Sequence, residues 1–258
     1  MSQPYLSSTE HVTVEKAGAV LTLSLNRPEA LNALRPEMLA ALADLLQRAG
    51  DDESLAVVVL RGAGRAFSAG VDLKVLQGIE PDGGIIGDLF DEPALRMTQA
   101  IRDLPLPVIA RIHGACFTGA LELALHCDFI YTTNDAKFGD THAKFGLRPT
   151  WGMAQTLSRA VGVRRARELS FTAQTFSGAQ AAQWGLANAA FDTVEALDAA
   201  LAASCERIAA NSRGGVAVMK DLYAIAGAEL GLQASLATEA THTGPAITDT
   251  NERLAAFK

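Results

Sequence analysis

Glu122 stands in an otherwise apolar segment, GALELAL (119–125), which follows a predicted strand and a Gly-containing turn. A carboxylate among apolar side chains costs free energy unless it is hydrogen-bonded or functional. The start of a helix presents unpaired backbone amides, and Gly119 would lie one turn before Glu122 on the same helical face. Such an amide could bind a developing oxyanion while the carboxylate transfers a proton. Stabilisation of the helix N-terminus by an acidic side chain remains an equal alternative.

His142 and Asp140 lie in a second segment, KFGDTHAKFGLRPTWG (137–152), which mixes ionisable residues with the glycines and proline of a shaped loop. Imidazole is the commonest general acid or base near neutral pH, and a carboxylate two residues earlier could orient the ring. A single histidine is more often structural or at the surface. These residues alone therefore indicate only a candidate.

A third segment, RAFSAGVDL (65–73), follows an apolar strand-like run and contains three small residues in a row. Small residues allow the backbone to approach a ligand closely. They also fill tight turns, which is the commoner reason for such a pattern. The segment indicates a site only in combination with others.

These residues must be positioned by strands and helices that the hydrophobic pattern predicts. Short runs rich in Val, Ile and Leu predict strands at 12–15, 20–25, 55–60, 108–112 and 128–132. A helix is predicted from Arg35-Pro36-Glu37 onwards, and 80–91, rich in Gly and Asp, predicts a loop. From residue 164, helices are predicted at 164–171, 178–184, 194–210, 215–228, 232–242 and 246–257. The pattern indicates an α/β core over 1–192 and a helical region over 193–258, which could cap its own core or pack on another subunit.

Composition excludes some classes of function. The chain has 258 residues, a net charge of −7 and an isoelectric point near 5.3, which argue against a nucleic-acid-binding face. No apolar run approaches the roughly 20 residues of a membrane span, and no signal peptide is evident. Cys116, Cys127 and Cys205 lack metal-ligand spacing and are expected to be inert buried thiols. We expect a cytoplasmic protein without a metal site.

Four segments, in this order and spacing, resemble the crotonase superfamily, the enoyl-CoA hydratase/isomerase family. They are LNRPEALNAL (25–34), FSAGVDL (67–73), GALELA with the following Cys-Asp (119–128), and LSRAVG (157–162). The resemblance covers nearly the whole chain. It implies a fold of stacked ββα turns with a C-terminal helical region for oligomerisation, assembled as a homotrimer or a dimer of trimers.

The resemblance also implies an acyl-CoA thioester as substrate, with no cofactor beyond the coenzyme A of that substrate. Two backbone amides, of Val71 and Gly119, would form an oxyanion hole for the thioester oxygen. The predicted substrate- and coenzyme-binding residues are Arg27, Ala30, Ala66, Ser68, Ala69, Gly70, Asp72, Leu73 and Trp151.

Hydratases of the family use two glutamates, one at the position of Glu122 and one twenty residues later, where this chain has His142. We hypothesise that Glu122 is the base for water and protonated His142 the proton donor at Cα, with Asp140 holding the ring. Two further departures are Thr118 in place of one glycine of the usual pair, and Trp151, which would narrow the acyl pocket.

Other activities remain open at this stage. Glu122 alone could move a proton between carbons in a Δ3/Δ2-enoyl-CoA isomerase. The chain could also be a non-catalytic acyl-CoA-binding member, although a pure binder has no need of a buried carboxylate. Hydrolysis or dehalogenation of a thioester substrate completes the alternatives.

Overall fold

The computed structural model describes residues 5–227. Its nine strands are β1 (Val12–Ala17), β2 (Val20–Leu25), β3 (Val57–Gly62), β4 (Val108–Ile112), β5 (Ala115–Phe117), β6 (Phe129–Thr133), β7 (Lys137–Gly139), β8 (Phe176–Ser177) and β9 (Ala189–Phe191). Its helices are α1 (Pro36–Gly50), α2 (Leu73–Leu76), α3 (Asp88–Asp103), α4 (Gly119–Leu125), α5 (His142–Phe145), α6 (Met153–Val161), α7 (Val163–Thr172), α8 (Gly178–Gln183), α9 (Val194–Ala210) and α10 (Arg213–Ala226).

The larger sheet has six strands in the order β1-β2-β3-β4-β6-β9, and a smaller sheet has the order β5-β7-β8. Only the β1–β2 pair is antiparallel in the larger sheet. Strand β4 is buried at every position, as expected for a parallel strand that is covered on both faces. Because β4 continues into β5 and then α4, the central strand delivers Glu122 beside the smaller sheet.

The α/β prediction is confirmed, and most predicted elements agree with the structure. The strand predicted at 55–60 begins two residues later, and α3 begins at Asp88, inside the predicted loop 80–91. Helix α6 and the short strands β5, β7, β8 and β9 were absent from the prediction. The helices predicted at 232–242 and 246–257 lie outside the described residues.

The described part of the helical region packs on its own core. Cys205 of α9 is buried against Val57, Val59 and Ile109 of the larger sheet. The oligomerisation role of residues 193–258 remains a prediction. Within residues 5–227, no helix is long and apolar enough to cross a membrane.

Candidate active site

Glu122 is almost completely buried, with 1% of its surface exposed. Its Oε1 accepts hydrogen bonds from the backbone amides of Trp151 (3.2 Å) and Met153 (3.1 Å). Burial raises the pKa of Glu122 to about 7, against an opposing effect of nearby His142. This carboxyl group is therefore held in one orientation and can exchange a proton near neutral pH.

His142 faces Glu122 from the first turn of α5. The distance between His142 Nε2 and Glu122 Oε2 is 3.6 Å, and the imidazole is 2.7 Å from Asp140 through Nδ1. Because a carboxylate only accepts hydrogen bonds, Nδ1 carries a proton and Nε2 is directed to Glu122. The two residues that sequence reasoning selected as an acid/base pair are thus neighbours.

Asp140 is buried and fixed from two sides. Burial works to raise the pKa of Asp140, but hydrogen bonds from His142 and from Ser170 outweigh it and hold that pKa below its ordinary value. The backbone amide of His142 also donates to Asp140, at 3.2 Å. Asp140 is therefore an anion that orients the imidazole.

The amides of Val71 and Gly119 are the candidate oxyanion donors. Leu34 pairs with the neighbours of Val71, donating to Gly70 O at 2.7 Å and accepting from Asp72 N at 2.9 Å. This parallel bridge leaves the amide of Val71 pointing away from Leu34, while Gly119 begins α4 and has no preceding helical turn to pair with. Within the described range 5–227, neither amide has a hydrogen-bond partner.

The approach of these two amides depends on glycine at position 70. Gly70 has φ +96°, and a Cβ there would lie 2.8 Å from the carbonyl oxygen of Phe117. Thr118, where the family resemblance predicts glycine, also has a positive φ of 49°. Its hydroxyl accepts from the Thr141 amide at 3.3 Å and bonds to the Thr141 hydroxyl. Thr118 thus joins the start of α4 to the segment that carries His142.

A cavity of about 310 Å³ brings these groups together. It is bordered by both amide-bearing residues, by the acid/base pair and by a largely apolar wall. Its lining includes Val71, Gly119, Glu122, His142, Trp151 and Arg148. A small, mainly apolar cavity with a few convergent polar groups is the usual form of a small-molecule site.

A family model described as enoyl-CoA hydratase/isomerase matches residues 15–257 of the chain. The chain belongs to this family. A protein named "Probable enoyl-CoA hydratase 1, peroxisomal" from Arabidopsis thaliana is 36% identical over 208 residues, which are 81% of this chain and 76% of that protein.

Solved structures agree with the family assignment. An enoyl-CoA hydratase from Bacillus anthracis superposes with a TM-score of 0.89 at 30% identity, over 96% of each chain. A structure from Thermobifida fusca YX in complex with acetoacetyl-CoA gives a TM-score of 0.78 at 28% identity, over 95% of each chain. The stacked ββα fold of the crotonase superfamily is thereby confirmed.

The predicted coenzyme-binding residues of this family member divide into two groups. Ala69, Leu73 and Trp151 border the cavity. The other predicted residues do not border the cavity: Arg27, Ala30, Ala66, Ser68, Gly70 and Asp72. The last four of these are buried. Ser68, for example, is fully buried and accepts a hydrogen bond from the Gly70 amide at 3.2 Å. For these residues, contact with coenzyme A remains a prediction.

Arg27 was predicted to bind a phosphate of coenzyme A, but its guanidinium binds protein groups. Nη1 donates to Asp72 at 2.9 Å and to the carbonyl oxygen of Ala33 at 2.7 Å. Asp72 also caps α2 by accepting from the Lys74 amide at 3.0 Å. The ion pair therefore joins the loop after β2 to the loop that carries Val71, and any phosphate contact would have to use the remaining guanidinium nitrogens.

Asp72→Ala is expected to reduce the free energy of unfolding by roughly 2–4 kcal/mol, because it leaves the mostly buried Arg27 unpaired and removes a helix cap. Burial works to raise the pKa of Asp72, but Arg27 outweighs it and lowers that pKa. The stabilisation is therefore present above the unfolded pKa and lost as pH falls. Urea unfolding at neutral pH, with exposed Asp82→Ala as the control, measures the effect. If Asp82→Ala lowered the free energy of unfolding as much as Asp72→Ala, this expectation would be wrong.

Two side-chain pairings were not predicted from the sequence. Asp91, in the predicted loop, is buried on α3 and accepts from the indole Nε1 of Trp151 at 2.8 Å and from the Thr150 hydroxyl at 2.7 Å. Lys220 on α10 makes the second unpredicted pairing. Its ammonium donates to Ile101 O, Leu106 O and Asp128 at 2.9–3.0 Å, which uses all three of its protons. Neither pairing leaves a local sequence signal.

His113 and His126 have structural roles, as their contacts indicate. Each ring lies beside an arginine and donates through Nε2 to a backbone carbonyl at 2.7 Å, that of Gly64 for His113 and that of Trp151 for His126. Burial lowers the pKa of both histidines. They are therefore neutral rings that fix the backbone.

Cys116, Cys127 and Cys205 are buried free thiols, as predicted.

Gly119→Ala is expected to lower kcat by about 10-fold or more, because it displaces a candidate oxyanion donor. A Cβ at this position would lie 2.7 Å from Cζ3 of Trp151 and 3.1 Å from Cγ2 of Val71, so the helix start or the indole must move. Steady-state rates with crotonyl-CoA, alongside Gly83→Ala in the exposed loop, measure the effect. Undiminished kcat in folded Gly119→Ala would contradict the role of this amide.

Proposed function

We propose that the chain catalyses the hydration of 2-enoyl-CoA thioesters. The observation that carries the proposal is the 3.6 Å approach of His142 Nε2 to Glu122 Oε2 in a cavity that also contains the unpaired amides of Val71 and Gly119. A base, an acid and two oxyanion donors are the groups that addition of water to a conjugated thioester requires. The names of the relatives support the same activity.

In the proposed reaction, the Glu122 carboxylate takes a proton from water as the oxygen bonds to Cβ of the substrate. The electron pair of the carbon–carbon double bond moves to the thioester, and the amides of Val71 and Gly119 donate to its oxygen. Nε2–H of the His142 imidazolium then protonates Cα. The product is a 3-hydroxyacyl-CoA; Glu122 has gained one proton from water, and His142 has lost one proton to Cα.

Because Glu122 and His142 are neighbours, they can return to the protonation states in which the reaction began. Transfer of the proton from Glu122 Oε2 to His142 Nε2, which are 3.6 Å apart, through one bridging water or after a small closer approach, regenerates carboxylate and imidazolium. Asp140 supports this direction because its negative charge stabilises the imidazolium. Since the protein side chains and amides supply the acid, base and oxyanion donors, we propose that no cofactor beyond the coenzyme A of the substrate takes part.

Assembly and location belong to the same proposal. We propose a homotrimer or a dimer of trimers, which the exposed apolar side chains Phe171 on α7 and Tyr223 on α10 support. We propose a cytoplasmic location, which the three free thiols support because such thiols persist in a reducing compartment.

Hydration can be tested with crotonyl-CoA in deuterated water, with the product identified by mass spectrometry and NMR. The proposal predicts 3-hydroxybutyryl-CoA with one carbon-bound deuterium at Cα. Transfer of deuterium to the thioester without addition of water would contradict hydration, as would the absence of any turnover.

A further inference from the structure

Trp151 forms the wall of the cavity nearest the proposed reacting atoms. Its backbone amide binds Glu122 Oε1 at 3.2 Å, and its six-membered ring lies against Gly119, where an added Cβ would be 2.7 Å from Cζ3. Gly119 and Glu122 share one face of α4. The indole therefore borders the volume in which the thioester oxygen and Cβ of a substrate would lie.

The indole is fixed at both of its edges. Opposite the edge that contacts Gly119, Nε1 donates to the buried Asp91 at 2.8 Å. The carbonyl oxygen of Trp151 accepts from His126 at 2.7 Å, so the backbone is held as well. Only 2% of the Trp151 surface is exposed. Rotation of the ring would break the bond to Asp91 and leave the buried indole N–H without this acceptor.

A second cavity is also bordered by Trp151. This outer groove has a volume of about 430 Å³ and includes Leu95, Thr98, Pro149 and Gln155 in its lining. Trp151, Thr150 and Arg148 border both the groove and the active-site cavity. The two cavities therefore adjoin at these three residues, and Trp151 is the bulkiest side chain between the acid/base pair and the groove.

We infer that the indole of Trp151, held by Asp91, terminates the acyl-binding channel and restricts the enzyme to short acyl groups. This inference rests on the proposed function and specifies its substrate class. Replacement of the indole by a methyl group joins the active-site cavity to the outer groove, so longer acyl chains gain a place to bind. Trp151 is a specificity-determining residue, and Asp91 is a positioning residue that acts through it.

Binding of saturated acyl-CoA thioesters tests the inference without requiring turnover. Calorimetric Kd values are measured from butyryl-CoA to decanoyl-CoA for wild type, Trp151→Ala and Trp184→Ala, the last being the other tryptophan, which does not border the cavity. Wild type and Trp184→Ala should lose affinity as the chain lengthens. Trp151→Ala should raise the decanoyl-to-butyryl affinity ratio by at least about 10-fold, since a pocket discriminates about that strongly against a single excess methylene.

Asp91→Ala is a second variant that leaves residue 151 unchanged. Freed from Asp91, the indole can move, so this variant should shift the ratio in the same direction by a smaller factor. An identical chain-length profile in wild type and folded Trp151→Ala would overturn the inference. Equal wild-type affinity for butyryl-CoA and decanoyl-CoA, or no binding of either, would also overturn it. If the affinities follow the predicted series but crotonyl-CoA is not hydrated, the proposed function is wrong and the inference about Trp151 still holds.

Discussion

Glu122→Gln is expected to lower kcat for crotonyl-CoA hydration by about 10²- to 10⁴-fold, the usual contribution of a general base. The amide is nearly isosteric, and its oxygen can still accept from the amides of Trp151 and Met153. It cannot take a proton from water at neutral pH. Steady-state rates over a range of pH measure the effect, and in wild type kcat/KM should rise with pH through about 7, where Glu122 ionises.

The same substitution should stabilise the protein at alkaline pH. Burial raises the pKa of Glu122 from 4.5 to about 7, so between these values the folded state binds a proton that the unfolded state has released. Wild-type stability contributed by this group therefore falls as pH rises from about 4.5 to about 7. Glutamine removes that cost, so the free energy of unfolding, measured with urea at pH 8, should rise by roughly 1–3 kcal/mol.

The matched control is Glu53→Gln at an exposed position. It should change neither kcat nor the pH dependence of unfolding. A folded Glu122→Gln protein with wild-type kcat would rule out Glu122 as the base. A loss of both activity and stability would instead indicate that the carboxyl group is structural.

His142→Ala is expected to reduce kcat by about 10²- to 10⁴-fold with a smaller change in KM, because the proposed role of this side chain is proton transfer. The substitution also leaves Asp140 and Glu122 near each other without the intervening imidazole. Two such carboxyl groups disfavour each other's ionisation, so the pH at which activity rises should move upward. Rates with crotonyl-CoA across pH measure both effects.

His11→Ala is the control, since His11 does not border the cavity. Retention of wild-type turnover by folded His142→Ala would show that imidazole has no essential part and would leave Glu122 as the single proton-transfer group. That outcome would favour the isomerase alternative, in which one carboxyl group moves a proton between carbons.

The fold could be predicted largely from local patterns. The segments 20–25 and 108–112 agree with β2 and β4 because runs of branched apolar residues are typical of buried strands. The short strand β7 pairs with β5 and β8, which are distant in sequence, so its three residues carry no pattern of their own. Helix α3 begins inside the predicted loop, where the many Gly and Asp residues obscured the helical spacing of its buried positions.

The site was predictable where spacing in sequence corresponds to spacing in structure. Gly119 and Glu122 share one helix, and the position of His142 followed from counting along a family motif. The bond from Asp91 to Trp151 joins residues 60 positions apart, and no residue type at either position signals the other. The burial that raises the pKa of Glu122 likewise depends on packing from several elements, which sequence does not show.

In the proposed mechanism, Glu122 and His142 together hydrate 2-enoyl-CoA. The most direct test of this claim is the turnover of saturated, 2-enoyl and 3-enoyl thioesters by wild type, Glu122→Gln and His142→Ala, with products identified by mass spectrometry. We predict that wild type adds water to the 2-enoyl thioester and leaves the saturated thioester unchanged, and that both variants lose hydration by at least about 10²-fold. Conversion of the 3-enoyl thioester without hydration of the 2-enoyl thioester, or full hydration by either variant, would contradict the claim.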